Sequence, residues 1–265
     1  MDNRPIGVFD SGIGGLTVVD ALASALPNES VVYVGDTARV PYGNKSQQMV
    51  QQFSLEISNW LLAKDCKCIV VACNTASSLA LDYLSSKFNV PVIGVIRPGV
   101  SAAIEKTSNQ HVGVLGTYAT VNSDAYGQQL KKINSNMTVS SQACPLFVPL
   151  VEEGWTSGSV PLSIAKTYLK PMNESDVDTV ILGCTHYPIL KPVIQDVLGE
   201  HVTLVDSGFA TSSAVHKILD NQNMLSKNTQ STLKCFVTDS PQSFEALASR
   251  FMSAKIESIS HIELT

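Results

Sequence analysis

Eight short runs rich in β-branched and other apolar residues punctuate the chain: Ile6 to Phe9, Val31 to Gly35, Cys68 to Ala72, Val92 to Val95, Val112 to Gly116, Thr179 to Gly183, Thr203 to Val205 and Lys234 to Val237. Segments with helical spacing separate them. Met49, Phe53, Ile57, Trp60 and Leu61 repeat on one helical face, and Leu79, Leu84 and Phe88 do so less regularly. Strands that read as unbroken apolar runs are covered on both faces, which is the pattern of parallel sheet with crossover helices. The expected fold class is α/β.

The runs also repeat in order. Ile6-Gly7-Val8-Phe9 is echoed by Val112-Gly113-Val114-Leu115, and Ile69-Val70-Val71-Ala72-Cys73 is echoed later by Val180-Ile181-Leu182-Gly183-Cys184. A single pair of similar strands carries little weight, since parallel strands look alike, but two pairs in the same order point to two similar lobes. With 265 residues the chain has room for both. Breaker clusters at Arg97-Pro98-Gly99 and Asp206-Ser207-Gly208 suggest where the chain changes lobe. The expected division is residues 1–97 plus 209–265 for the first α/β lobe and 98–208 for the second.

Charge narrows the partners. Lys and Arg total 18 against 23 Asp and Glu, a net charge of −5 with no basic block, so there is no electrostatic footprint for nucleic acid. No apolar stretch is long enough for a signal peptide core or a membrane span, so a cytoplasmic protein without a membrane partner is expected. In that compartment Cys66, Cys68, Cys73, Cys144, Cys184 and Cys235 are expected to be thiols. They include no Cys-x-x-Cys pair, and the five histidines are scattered, so no metal site is expected.

Ligands of parallel sheets bind beyond the carboxyl ends of the strands, and four polar clusters fall at such ends. Asp10-Ser11-Gly12-Ile13-Gly14-Gly15 is a glycine-rich turn; both a plain tight turn and an anion cradle fit it, but it matches neither the dinucleotide nor the P-loop pattern. Gly35 to Gly43 contains Pro41-Tyr42-Gly43. The other two, Cys73-Asn74-Thr75 and Cys184-Thr185-His186-Tyr187-Pro188, each place a thiol where a strand ends and a helix is expected to begin. Buried cysteines are usually inert small hydrophobes, and that reading suffices for Cys66, Cys68, Cys144 and Cys235. For Cys73 and Cys184 a helix dipole and free amides are expected to lower the thiol pKa toward neutrality.

Asp10-Ser11-Gly12, Pro41-Tyr42-Gly43, Cys73-Asn74-Thr75 and Gly183-Cys184-Thr185-His186-Tyr187-Pro188 together resemble the motif set of the glutamate racemase family, from Ile6 to about Gly208. Cys-Asn-Thr alone is shared with aspartate and hydantoin racemases, whereas Gly-Cys-Thr-His-Tyr-Pro is more particular. The resemblance implies two pseudosymmetric α/β lobes with the active site in the cleft between them. It implies that Cys73 and Cys184 are the acid and base, that Asp10 lies beside Cys73, and that Glu152 and His186 assist Cys184. Asp10, Ser11, Tyr42, Gly43, Asn74, Thr75, Thr117, Thr120, Thr185 and His186 are then expected to hold the substrate, glutamate. No cofactor is expected, and D-glutamate for peptidoglycan is the implied product. The sequence does not fix the oligomeric state, and the resemblance is compatible with a homodimer.

Two matched thiols suit racemisation, which removes a proton from one face of the α-carbon and returns one to the other face. Four rival readings stand beside this one. A racemase for aspartate or another acidic amino acid would use the same motifs, and a non-catalytic anion-binding protein of the same fold would have no use for two strand-end thiols. A hydrolase pairing Cys184 with His186 is poorly arranged, because residues two apart on a helix do not face each other. A pyridoxal enzyme needs a Schiff-base lysine, and none stands out.

Overall fold

A computed structural model describes residues 1–264, and the eight apolar runs become eight of the ten strands among them. In chain order they are β1 (Ile6–Asp10), β2 (Val31–Gly35), β3 (Cys68–Val71), β4 (Val92–Gly94), β5 (His111–Gly116), β6 (Thr138–Ala143), β7 (Thr179–Gly183), β8 (Thr203–Asp206), β9 (Leu233–Val237) and β10 (Ser258–His261). They form a six-stranded sheet in the order β10-β9-β2-β1-β3-β4 and a four-stranded sheet in the order β6-β5-β7-β8. Every strand pairing is parallel. The α/β expectation holds. The order β2-β1-β3-β4 in the first sheet matches β6-β5-β7-β8 in the second, so β5 stands where β1 does and β7 where β3 does.

Burial explains the sequence pattern. β1, β2, β3 and β7 are buried at every residue, because helices cover both faces of each sheet. One core cluster runs through both sheets, joining Val8, Val70 and Leu16 to Val180, Leu182 and Leu219, and two smaller clusters fill the outer faces. The helix Leu16–Ala25 packs on Ser207–Asn221, which in turn packs on Ile96–Lys106, and these helices tie the two sheets together. Among the described residues no helix is long and apolar enough to cross a membrane.

The two breaker clusters lie at helix starts. Arg97-Pro98-Gly99 lies within the first turn of the helix Ile96–Lys106, where a proline costs no hydrogen bond because the early amides have no intrahelical partner. Asp206 caps the helix Ser207–Asn221, its carboxylate accepting from Gly208 N at 2.7 Å. The chain thus passes between sheets through helix starts. β6 and β10 had no apolar signal, since both are edge strands with half-exposed, polar sequences.

Candidate active site

Each strand-end thiol is set by the turn that follows it. Cys73 caps the helix Asn74–Leu79, its sulfur accepting from Ala76 N at 3.4 Å while its thiol donates to Ser11 Oγ at 3.7 Å. Asp10 ends the neighbouring strand β1, and Ala72 N donates to Phe9 O at 2.9 Å, so the chain leaving β3 passes beside this carboxylate. Asp10 is buried; Oδ2 accepts from Gly12 N at 3.0 Å, and Oδ1 has no hydrogen-bond partner among the described residues. Cys184 follows β7 in the equivalent place. A 3-10 turn, Tyr187–Leu190, comes after it instead of an α-helix, and Tyr187 anchors that turn by donating to Gly116 O at 3.0 Å and Cys144 O at 2.8 Å.

Glu152, at the end of the helix Phe147–Glu152, meets His186 Nε2 through Oε1 at 3.0 Å. With a proton on Nε2 the ring donates to Glu152, and its other nitrogen, Nδ1, lies 3.5 Å from Thr185 Oγ1. Phe251 meets the His186 ring edge to face at 5.1 Å. Hydroxyls of three threonines close a triangle between the sheets, with Thr75 3.0 Å from Thr117 and 3.3 Å from Thr120, and Thr117 3.1 Å from Thr120. Tyr126 donates to Asn74 Oδ1 at 2.7 Å, also across the gap.

These elements enclose a cleft of about 480 Å3, a usual size for a small-molecule site. Of the expected residues, Ser11, Tyr42, Gly43, Cys73, Asn74, Thr75, Thr117, Glu152, Cys184, Thr185 and His186 line it. Asp10 and Thr120 lie behind this wall. Val40, Asn44, Tyr118, Val148 and Pro149 line it too and carry no motif of their own. Among the described residues no lysine or arginine does so. A larger hollow, about 660 Å3 between the helix Pro241–Ala248 and β10, contains none of the thiols.

Tyr42 faces the cleft without a free hydroxyl. Its hydroxyl donates to the buried carboxylate of Asp36 and its ring packs on Phe53. What it can offer a ligand is its amide, since Tyr42 and Gly43 open a 3-10 turn whose first amides lack intrahelical partners. Gly43 also comes close to the opposite sheet, because a Cβ there would sit 2.9 Å from Thr117 Cβ.

The thiols also differ from expectation. Burial, and then the Asp10 carboxylate, push Cys73 up to about 12. Burial likewise raises Cys184, against the lowering effect of a hydrogen bond from the His186 amide. A capping amide is worth less here than the loss of water around a thiolate, so neither thiol rests ionised at neutral pH. Burial raises Asp10 as well.

The family model for Asp/Glu/Hydantoin racemase matches residues 6–215. A glutamate racemase of Geobacter metallireducens is 47% identical over 262 residues, covering 98% of this chain and 97% of that protein. The chain belongs to the Asp/Glu/hydantoin racemase family. Among solved structures, a glutamate racemase isoform from Bacillus anthracis superposes with a TM-score of 0.97 at 39% identity, over 100% of this chain and 99% of that one. The glutamate racemase of Francisella tularensis in complex with D-glutamate superposes with a TM-score of 0.94 at 40% identity, over 99% and 98%. In this racemase family likeness the two-sheet fold extends over the full chain.

Proposed function

We propose that this chain interconverts L- and D-glutamate in the cytoplasm, without a cofactor, and so supplies D-glutamate for peptidoglycan. The observation that carries the reading is that Cys73 and Cys184 stand at equivalent strand ends of two sheets and line one cleft. The lobes are taken as residues 1–97 with 209–265, and 98–208. Similarity to glutamate racemases over nearly the whole chain supports glutamate over aspartate as substrate.

One thiol must lose its proton before it can act as base. Cys73 and Asp10 are both buried and adjacent, so two negative charges together are disfavoured and the pair holds a proton between them. On the other side, the imidazole acceptor of His186, braced by Glu152, serves Cys184. The substrate ammonium brings positive charge into a cleft lined by no cationic side chain, which favours the thiolate. That thiolate takes the α-proton while the opposite thiol delivers its own. General acid–base transfer supplies roughly 10²–10⁴-fold. The remainder comes from the turn amides of Tyr42 and Gly43 and from Ser11, Asn74, Thr75 and Thr185, with Thr117 and Thr120 bracing Thr75, which hold the carboxylates as one becomes an enediolate.

The test is turnover of L-glutamate in heavy water, read by mass spectrometry of both enantiomers at low conversion. Early D-glutamate carries solvent deuterium at the α-carbon while recovered L-glutamate stays protiated, because the delivering thiol is not the one that took the proton. Substantial protium in early D-glutamate overturns the two-thiol mechanism. No D-glutamate, or faster turnover of L-aspartate, overturns the substrate.

A further inference from the structure

The two halves of the cleft are not supported alike. Asp10, beside Cys73, is placed by its own sheet, one strand away from β3. The His186–Glu152 pair beside Cys184 is gripped from the other sheet. Phe251 and Arg250 follow the helix Pro241–Ala248, between β9 and β10 of the six-stranded sheet, outside the four-strand unit that the sheets share. Phe251 is buried and presents its ring at 84° to that of His186. The Arg250 guanidinium donates to the backbone carbonyl of Glu152 and lies against Gly154. One dipeptide therefore touches both members of the pair.

We propose that Phe251, aided by Arg250, is a positioning residue for the Cys184 half of the reaction: it holds the His186 ring at the angle where Nε2 meets Glu152 and Nδ1 faces Thr185 Oγ1, next to Cys184 in the chain. A histidine ring turns readily about its terminal torsion unless something packs against its faces and edges. Here the Glu152 bond fixes one end of the ring, and an edge-to-face aromatic contact restrains its tilt. Nothing equivalent is needed for Asp10, a short side chain at the end of a central strand. Phe251 touches no substrate, since it lies outside the cleft lining.

This inference rests on the two-thiol reading, and the test separates the two. Phe251→Leu keeps an apolar side chain in the core and removes the aromatic edge; Arg250→Ala is its exposed companion. The readout is the isotope effect on kcat/KM with α-deuterated L- and D-glutamate. Substrate deuterium is transferred only in the step that removes it, since the delivered hydrogen comes from a thiol equilibrated with solvent. When the Cys184 step is slowed, the isotope effect rises for the enantiomer that Cys184 deprotonates and falls for the other. We expect Phe251→Leu to lower kcat/KM several-fold in both directions and to split the two isotope effects. The split has the same sense as in His186→Asn and the opposite sense to that in Asp10→Asn; Arg250→Ala shifts it in the same sense, less far. Unchanged rates, lowered rates without a split, or a split in the Asp10→Asn sense overturns the role of Phe251. If His186→Asn and Asp10→Asn themselves fail to split in opposite senses, the two-thiol reading falls, and this proposal with it.

Discussion

Gly14, in the turn after β1, lies against Thr185 and His186, which follow β7 of the other sheet. A Cβ at this position would sit 2.5 Å from His186 Cε1, and closer still to His186 Nδ1 and Thr185 Oγ1. Carbon atoms in contact prefer about 3.5–4.0 Å, so Gly14→Ala asks for a shift of about 1 Å. The imidazole cannot yield by turning, because Glu152 and Phe251 hold it, so the shift falls on the side-chain pair or on the spacing of the sheets. Overpacking of this kind costs roughly 1–3 kcal/mol. Expressed wholly in the transition state at 1.36 kcal/mol per decade, that is about 5- to 160-fold in kcat/KM, in line with the roughly hundredfold cost of a 1 Å misplacement near a reacting centre. Circular dichroism at a glutamate band gives kcat/KM in both directions, and a urea titration shows whether the variant is folded. A folded Gly14→Ala protein within twofold of the parent refutes the reasoning.

Cys73→Ser and Cys184→Ser are each expected to lower kcat/KM by about 10²–10⁴-fold. The loss is equal in the two directions, because enantiomers in water have an equilibrium constant of one; turnover in either variant close to the parent rate counts against the assignment. Lys67→Met removes the partner of a fully buried carboxylate: Lys67 Nζ lies 2.6 Å from Glu29 and donates to Asp2 O and Met224 O, both at 2.8 Å. Breaking such a pair costs roughly 3–5 kcal/mol, whereas Lys67→Met/Glu29→Gln recovers most of it; a single variant less than about 1 kcal/mol down in urea unfolding contradicts this. Alkaline stability follows from the thiols. Burial raises all six, with Cys66, Cys68, Cys73 and Cys235 at about 12 against an ordinary 9.0, so the protein binds their protons more tightly when folded. That stabilisation is complete below pH 9 and is lost as pH climbs toward 12. The urea midpoint is expected to drop between pH 8 and 10.5, and a constant midpoint refutes it.

What the sequence made legible depends on how many neighbours each element has. Strands β1, β3 and β7 are covered on both faces, so their apolar runs were unmistakable, and the thiols after β3 and β7 stood out at their ends. β6, with the sequence Thr-Val-Ser-Ser-Gln-Ala, has one strand neighbour and partly exposed faces, which leaves it without an apolar pattern. With β6 unread, the turn and helix after it were unread too, and Val148 and Pro149 of the cleft wall with them. Long-range packing was equally hidden. Gly14 looked like a turn glycine, although the reason for it is His186 on the other sheet. For the thiols, a capping amide is legible three residues away, at Ala76, whereas how far burial outweighs it depends on packing from distant parts of the chain.

The matched strand orders of the two sheets bear on how the cleft can be blocked. L- and D-glutamate offer it the same carboxylates and amine, and differ in which sulfur meets the α-hydrogen. On the proposed mechanism a pair of thiols at equivalent strand ends treats both hands alike, so an inhibitor draws little selectivity from its chirality. A compound with a flat, trigonal α-carbon presents a face to each sulfur at once, as the enediolate does, and is the better mimic. Discrimination enters where the symmetry breaks, on the side of His186, Glu152 and Phe251. A medicinal chemist extending such a flat core should therefore grow it toward Cys184 and leave the Cys73 side as it is.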